Sequence, residues 1–433
     1  MTTAVQKGLA ASRHVLDNGV TVISKQAHTV PAVTIHVGVR AGSIYDSDAL
    51  VGLSHLASRL LDRGTQKHTT DEIAEAFDDR GVSLTVGANR HVLTVSCTCL
   101  SEDFEAMLEL VGEVVMQPAF PVQELEKRKG EVLNAIRQDA DNPTAMAMQA
   151  LFAALYPDQH AYGRPSKGTS ETVTRIERAD LVAFHDARFA PGVTTVVIVG
   201  DIDGERAVGG CERVFGSWRK PSPGEITLPH PPAGRARYER VIPMMNKAQA
   251  DIGYGFTTIV RSDPRYYAYT IMNNALGQYG IGGRLGDSIR ERQGMAYYVF
   301  SSFDANVVEG PLVVRAGVNP ANVERAIASI DEEIRRIASD GLTREELHDC
   351  KEYLIGSIPR LLETNGAIAT FLQTAEFFGL GLDHDLRLPS LLGAVTLEDV
   401  NDAARQTLDV NRAAVVVAGP YEARGAGMRD LPR

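Results

Sequence analysis

The feature that most constrains this 433-residue chain is a repeated ending in its two halves. Each ending consists of an acidic helix-like segment, a short loop and a continuous apolar, β-branched run that closes on glycine. The first run covers 194–200 and the second 413–419, so Gly200 and Gly419 lie 219 residues apart. A helix and a strand repeated at one spacing indicate a duplicated unit that mixes both kinds of element.

A proline-rich segment divides the chain near its middle. Five of the 20 prolines lie between residues 217 and 235, and segments of this kind form extended connectors. We therefore predict two domains, residues 12–216 and 236–420, joined by a linker at 217–235. In each half, strands and helices are mixed rather than regularly alternated, which predicts an α+β fold.

Composition excludes several classes of protein. The formal net charge of −11 gives no electrostatic support to nucleic-acid binding. No apolar run approaches the ~20 residues that a membrane-spanning helix needs. No secretory signal is visible, which predicts a cytoplasmic protein, or a periplasmic one if a signal peptide has been removed. Four cysteines are too few for a disulfide framework, and Cys97 and Cys99, which share one strand face, are predicted to pack in the core.

Residues 52–65 carry the sequence Gly-Leu-Ser-His-Leu-Ala-Ser-Arg-Leu-Leu-Asp-Arg-Gly-Thr. With Asp141-Asn-Pro143, Tyr162-Gly-Arg-Pro165, the strand before Asp201 and segment 290–301, this stretch resembles the pitrilysin/insulinase (M16) family of zinc metallopeptidases nearly end to end. The resemblance implies two homologous domains of the LuxS/mitochondrial processing peptidase-like type, which together form one half of a clamshell.

The zinc-binding helix of that family reads His-x-x-Glu-His, in which two histidines bind zinc and the glutamate activates a water molecule. The matching positions here are His55, Ser58 and Arg59, and the family's third ligand, a glutamate, falls at Ala135. A guanidinium cannot deprotonate to become a ligand. We therefore expect no metal in this chain and interpret His55 as a relic, a helix histidine with ordinary hydrogen bonds. Four other histidines show no ligand spacing with His55: His68, His91, His160 and His185.

The second half keeps the family's substrate-binding segment, in which an arginine and a tyrosine lie seven residues apart. Arg290 and Tyr297 have that spacing, and we predict a helix that ends near Gly294, followed by a strand. The resemblance implies that Arg290 grips a peptide carbonyl and that the Tyr297 phenol stabilises an oxyanion. Without the resemblance, Arg290 would be read as the ion-pair partner of a neighbouring carboxylate, and Tyr297 as a core aromatic residue.

Two further segments carry weaker signals. The glycines between 277 and 286 do not fit a phosphate-binding loop, because Leu285 stands where a glycine is needed, and they predict a flexible entry to the next helix. In the family's peptide-pairing edge strand, Asn-Ala is replaced here by Thr85-Val86. Such a strand would still pair with a peptide through its backbone groups.

The resemblance implies a non-catalytic subunit of a heterodimeric zinc endopeptidase, which is not active alone. A homologous partner with an intact His-x-x-Glu-His helix would hold the zinc, and this chain would supply Arg290 and Tyr297 in trans. The substrate class is a peptide or an unfolded polypeptide. The alternative is a non-proteolytic scaffold or peptide-binding protein of the same fold. An independently active protease would need a metal that these residues do not bind.

Overall fold

The computed structural model describes residues 8–232, 236–278 and 282–422. They form two compact units. The first holds the described residues of 1–136, 165–227 and 357–387, and the second those of 137–164, 228–356 and 388–433. The division at 227/228 lies inside the proline-rich segment. The sequence predicts two contiguous domains, and the structure differs from that picture because each unit also takes a segment from the other half of the chain.

The first unit contains a six-stranded sheet. Its strands are β1 Ser12–Val15, β2 Thr21–Gln26, β3 Ala32–Val39, β4 Thr85–Ala88, β5 Leu93–Leu100 and β6 Thr194–Gly200. The order across the sheet is β1-β2-β6-β3-β5-β4, with β2 and β6 parallel and the other pairs antiparallel. Strand β4 therefore forms one edge, and its only strand partner among the described residues is β5.

The second unit contains a five-stranded sheet. Its strands are β7 Tyr238–Pro243, β8 Ala250–Thr257, β9 Ala296–Phe303, β10 Pro311–Val318 and β11 Ala414–Gly419. The order is β7-β11-β8-β10-β9, with β7 and β11 parallel. This order repeats that of β2 to β6 strand for strand, so the two units have the same topology. An α+β fold built from two homologous units is confirmed.

Helices cover the sheets. In the first half of the chain they are α1 Leu53–Ser58, α2 Thr70–Asp78, α3 Phe104–Met116, α4 Val122–Ala140, α5 Pro143–Leu155, α6 Ser170–Arg175, α7 Arg178–Arg188 and α8 Gly204–Phe215. In the second half they are α9 Tyr266–Asn273, α10 Val323–Asp340, α11 Arg344–Leu361, α12 Asn365–Phe377, α13 His384–Ala394 and α14 Leu397–Thr407. Side-chain caps fix several starts: the hydroxyl of Thr69, for example, accepts from the amide of Glu72 while the Glu72 carboxylate accepts from the amide of Thr69.

Two helices at corresponding places in the repeat are exchanged between the units. In the first unit, α12 packs on β3 and β6, where Ile368 and Leu372 bury their side chains with Val197 and Val199. In the second unit, α5 packs on β8 and β11. Glycines in β8 let α5 approach the strand closely, because a Cβ added at Gly255 would lie 3.1 Å from a side-chain methyl group of α5.

The main core of the first unit lies between its sheet and helices α1, α3, α7 and α8. Cys97 and Cys99 belong to that core as free thiols, which confirms their predicted packing role. Burial raises the pKa of Cys97 to about 12 and that of Cys99 to about 11. Among the described helices, none is both long enough and apolar enough to span a bilayer.

Three buried histidines in the first unit make its stability depend on pH. Burial lowers the pKa values of His36, His91 and His185 to about 4, whereas a histidine in the unfolded chain titrates near 6.5. Below pH 6.5 the unfolded state therefore binds protons that the folded state excludes. This stabilisation is fully present above pH 6.5 and is lost as the pH falls towards 4.

We expect the free energy of unfolding to fall between pH 7.5 and pH 5 by roughly 2 kcal/mol for each of these histidines. Urea titrations at both pH values measure it. His185→Gln should reduce this loss by about one third, because it removes one of the three titrating groups. The glutamine amide can still donate to the Val115 carbonyl, which His185 contacts at 2.9 Å. His14→Gln, at an exposed position, is the control. Equal stability at both pH values would contradict the prediction.

Candidate functional site

Helix α1 and the residue directly after it, Arg59, account for three of the four positions that the sequence singled out in the first unit. The helix follows Gly52, whose φ of +99° is a left-handed conformation that suits glycine. Asp46 caps the helix from outside: its buried carboxylate accepts from the amides of Gly52 and Ser54 at 2.9 Å and from the Ser54 hydroxyl at 3.2 Å. A buried, charged cap of this kind orients the start of α1.

The α1 positions do not supply a metal-binding donor set. The Ser58 side chain is buried and donates to the carbonyl of His55 at 2.7 Å, one turn back in its own helix. The His55 ring makes no hydrogen bond to a described residue, and the expectation of ordinary hydrogen bonds stays a prediction. Burial, followed by the charges of Arg59 and Lys167, lowers the pKa of His55.

An ion pair links Arg59, directly after α1, to α4, beside the positions that the resemblance matches to zinc ligands. A guanidinium nitrogen of Arg59 lies 3.0 Å from the Glu131 carboxylate, which also accepts two hydrogen bonds of 2.7 Å from Arg128. Ala135 follows Glu131 one helical turn later on the same side of α4 and has no donor atom. A cation at Arg59, a buried hydroxyl at Ser58 and a methyl group at Ala135 do not fit zinc.

The other histidines have structural partners. His68 contacts the carboxylate of Glu113 at 2.9 Å, and His185 contacts a backbone carbonyl. His160 contacts the carbonyl of Pro229 at 2.8 Å, and His91 packs against the ring of Phe377. Across the three described ranges, no group of three or more His, Cys, Asp or Glu side chains is arranged to hold a metal ion.

In the second unit, Arg290 lies on a π-helical turn, Gly286–Arg292. A second π-helical turn, Asn274–Gln278, continues α9, and π-helical turns are rare outside functional sites. The chain leaves the turn through Gly294, whose φ is +60°, and enters β9 at Ala296, as the spacing predicts. The side chain of Arg290 is 45% exposed, and its ion-pair partner among the described residues is the Glu291 carboxylate, at 3.7 Å.

Tyr297 lies at a β-bulge near the start of edge strand β9. Gly317 of β10 pairs with Tyr298, whereas the next residue, Val318, pairs with Ala296. Tyr297 is therefore the extra residue of the bulge, and it is 63% exposed. Bulges re-aim side chains and are common beside active sites. The alternative of a core tyrosine does not apply to Tyr297.

The neighbouring Tyr298 has the opposite environment. Its phenol donates to the buried carboxylate of Asp251, which also accepts from Thr144 of α5 at 2.9 Å and from Gln249 at 3.1 Å. The ring lies over Gly317, where an added Cβ would approach it to 2.5 Å. Burial and this hydrogen bond raise the pKa of Tyr298 to about 12. Tyr298 thus anchors β9 and leaves Tyr297 free of the core.

Residues 279–281 of the glycine-rich segment before Arg290 lie outside the described residues, so its interpretation as a flexible entry stays a prediction, but two of its described glycines pack closely. A Cβ at Gly283 would lie 2.7 Å from the Gly277 Cα, and a Cβ at Gly277 would lie 2.9 Å from the amide nitrogen of Ser301 in β9. These glycines are needed for close backbone packing. Glycine spacing signals such packing only once the neighbouring strand is known.

Sequence reasoning missed three residues that support these positions: Asp46, Glu131 and Asp251. Asp46 precedes its helix by more than the usual capping distance, so no local motif reveals it. Glu131 lies on α4 and Asp251 on β8, each far in sequence from the residues it contacts. Asp251 alone offered a signal, because a charged residue in an otherwise apolar strand indicates a buried carboxylate with a polar partner.

Comparison with known proteins gives two family matches. Residues 21–169 match the model described as Insulinase (Peptidase family M16), and residues 175–354 match the model described as Peptidase M16 inactive domain. An uncharacterized zinc protease of Mycobacterium leprae is 30% identical over 97% of this chain and 93% of its own length. One of Bacillus subtilis is 26% identical over 94% of this chain and 98% of its own length.

Solved structures agree with these matches. The crystal structure of a peptidase M16 inactive domain from Pseudomonas fluorescens superposes with a TM-score of 0.89 at 27% identity, over 96% of this chain and 99% of that one. A protease from Helicobacter pylori superposes with a TM-score of 0.86 at 17% identity, over 94% and 99% of the two chains. The second likeness concerns the fold alone.

The cap on α1 gives a direct test. We expect Asp46→Ala to lower the free energy of unfolding by about 1–3 kcal/mol, because it leaves buried N–H groups without an acceptor. Asp46→Asn keeps one acceptor oxygen and should lose less. Urea unfolding measures both variants, with Asp79→Ala at an exposed position as the control. A loss for Asp46→Ala no larger than that of the control would show that the cap does not stabilise α1.

Proposed function

The chain belongs to the M16 (insulinase) family of peptidases, and on that premise we propose that it is the non-catalytic subunit of a heterodimeric zinc endopeptidase. A homologous partner with an intact His-x-x-Glu-His helix would hold the zinc and supply the activated water. This chain would contribute Arg290 and Tyr297 in trans. Its substrate would be a peptide or an unfolded polypeptide, and it would not be active alone.

The observation that carries this proposal is the bulge at Tyr297. Strand β9 pairs with β10, and the half-buried Tyr298 donates to the buried Asp251 carboxylate, while the adjacent phenol of Tyr297 is largely exposed. Its position on an edge strand leaves the apolar ring of Tyr297 exposed to water. The hydroxyl of Tyr297 has no hydrogen-bond partner among the described residues. Such an arrangement is explained when the phenol donates a hydrogen bond to something outside the chain.

Each of the two residues has a definite chemical part in the proposal. Among the described residues the Arg290 guanidinium has only a long contact, 3.7 Å, to the Glu291 carboxylate, and it would bind a carbonyl of the extended peptide. The Tyr297 hydroxyl would donate to the scissile carbonyl oxygen as negative charge develops on it. One well-placed donor of this kind is worth roughly 3 kcal/mol of transition-state stabilisation.

A non-proteolytic scaffold or peptide-binding protein is the second candidate, and the contact between α1 and α4 favours it. Arg59, directly after α1, pairs with Glu131 of α4, and this contact links the two segments without a metal. Strand β4 would then bind a peptide through the backbone of Thr85 and Val86 alone.

Zinc content separates the two candidates. The tagged chain is recovered from its native cells, and zinc is counted against the chains present. The heterodimer predicts about one zinc per pair and a second chain of similar mass to this one, 46.9 kDa. A zinc-free eluate that holds this chain alone would support the scaffold instead.

Tyr297→Phe tests the catalytic role. We expect it to lower kcat of the complex by about 10- to 1,000-fold with zinc content unchanged, because it removes one oxyanion donor. Tyr254→Phe is the matched control: it removes a phenol that donates to Asp331 at 2.9 Å, away from the bulge, and should lower thermal stability while kcat stays within about twofold at a temperature where the variant is folded. Unchanged kcat in Tyr297→Phe would refute the assignment.

A further inference from the structure

Strand β10 carries one charged side chain, Arg315, in the middle of an apolar run. Every other residue of β10 is buried, whereas Arg315 is half-buried. Its neighbours across the sheet are Gly253 of β8 and Phe300 of β9. Gly253 faces α5, since an added Cβ would lie 3.3 Å from the side chain of Leu151. Residues directly opposite each other share a face, so Arg315 projects from the face of the second sheet on which α5 packs.

The Arg315 guanidinium has no anionic partner among the described residues. Its Nε atom is buried without a hydrogen bond, and no carboxylate in the described ranges forms an ion pair with it. Its contact is with the ring of Phe300, whose centroid lies 5.9 Å from the guanidinium carbon. The Asp251 carboxylate, on the same face, already accepts three hydrogen bonds from other residues. Because charges removed from water are normally paired, an unpaired arginine in the middle of a sheet requires an explanation.

The internal repeat shows that the fold does not need a cation at this place. Val197 of β6 and Val416 of β11 lie 219 residues apart, at the spacing of the repeat. From these two residues, the strand pairings match one row of residues in each sheet. In the first unit the row is His36, Ser96 and Thr85, and in the second it is Gly253, Arg315 and Phe300. A serine therefore forms the same strand in the first unit, so the charge of Arg315 is not a requirement of the sheet.

The surroundings of Arg315 suit a small planar anion. Arg315 lies between the strand that α5 covers and the strand that carries the half-buried Phe300 ring. Ser302, two residues beyond Phe300 on the same face of β9, is exposed, and its hydroxyl has no partner within the described ranges. A carboxylate matches the fork of N–H donors on a guanidinium. One cation with one hydroxyl fits the single charge of a carboxylate better than the higher charge of a phosphate group.

We infer that Arg315 binds the carboxylate of a peptide on the α5 face of the second sheet. The guanidinium donates paired N–H bonds to the two carboxylate oxygens, and the Ser302 hydroxyl donates a further one. The ring of Phe300 packs against the apolar part of the ligand. The carboxylate is either the C terminus of a peptide or an acidic side chain within one. This inference goes beyond the proposed function, because it requires neither a partner subunit nor proteolysis.

Titration of the full chain with short peptides tests the inference. The arginines are labelled with ¹⁵N, and the Nε–H signal of Arg315 is identified as the one that Arg315→Met removes. The probes are acetyl-Ala-Leu with a free C-terminal carboxylate, the same peptide as its C-terminal amide, acetyl-Glu-Leu-amide and inorganic phosphate. We expect the free acid to shift the Arg315 signal with millimolar affinity and its amide to leave the signal in place.

The glutamate peptide distinguishes the two sources of the carboxylate. A shift with this peptide would identify acidic side chains as ligands, and a shift with the free acid alone would identify the C terminus. An equal response to the free acid and its amide would overturn the inference. No response to either acidic peptide, or an equal response to phosphate, would overturn it as well.

Variants locate the ligand, with calorimetry as the measurement. Arg315→Met should weaken binding of the acidic peptide by about tenfold or more, whereas Arg240→Met, at an exposed position on β7, should not change it. Ser302→Glu places an internal carboxylate on the same face and should abolish binding, whereas the isosteric Ser302→Gln should leave it within about threefold. Thermal unfolding confirms that each variant is folded. An equal loss in Ser302→Glu and Ser302→Gln would show that shape rather than charge is responsible and would reject the site.

Discussion

Each sheet of this protein has a face that is covered by a helix from the other half of the chain. Helix α12 buries Ile368 and Leu372 against β6, and α5 buries its apolar side against β8 and β11. Strands with β-branched residues on both faces are stable only when both faces are shielded from water. The exchange of α5 and α12 supplies that cover, and the remaining contacts of each unit depend on it.

The exchange also fixes the strand that carries Tyr297. Thr144, near the start of α5, donates to Asp251, and the same carboxylate holds the phenol of Tyr298. Because the Asp251 carboxylate is buried, its hydrogen bonds are costly to break. The bulge beside Tyr298 is therefore held from within the unit, and the exposed Tyr297 is presented from a rigid base. In the first unit, the pair between Arg59 and Glu131 links the end of α1 to α4 without a metal.

Patterns of residue type predicted much of this correctly. Alternation and apolar runs located the strands, the repeat with its linker indicated two like units, and the seven-residue spacing predicted the turn at Gly294 between Arg290 and its strand. Other features depended on contacts between distant segments and were not predictable. The π-helical turn under Arg290, the bulge at Tyr297 and the close packing of Gly277 and Gly283 all arise where one backbone meets another.

The sequence alone determined the family and the α+β class, and it gave the residue types on which the expectations for Ser58, Arg59, Ala135, Arg290 and Tyr297 rest. These properties follow from the identity and order of the residues and do not depend on the folded structure. The tertiary structure alone decided that α5 and α12 change places, that Glu131 pairs with Arg59, and that Tyr297 faces solvent while Tyr298 does not. Such outcomes depend on burial and on partners far apart in the chain, which local sequence does not encode.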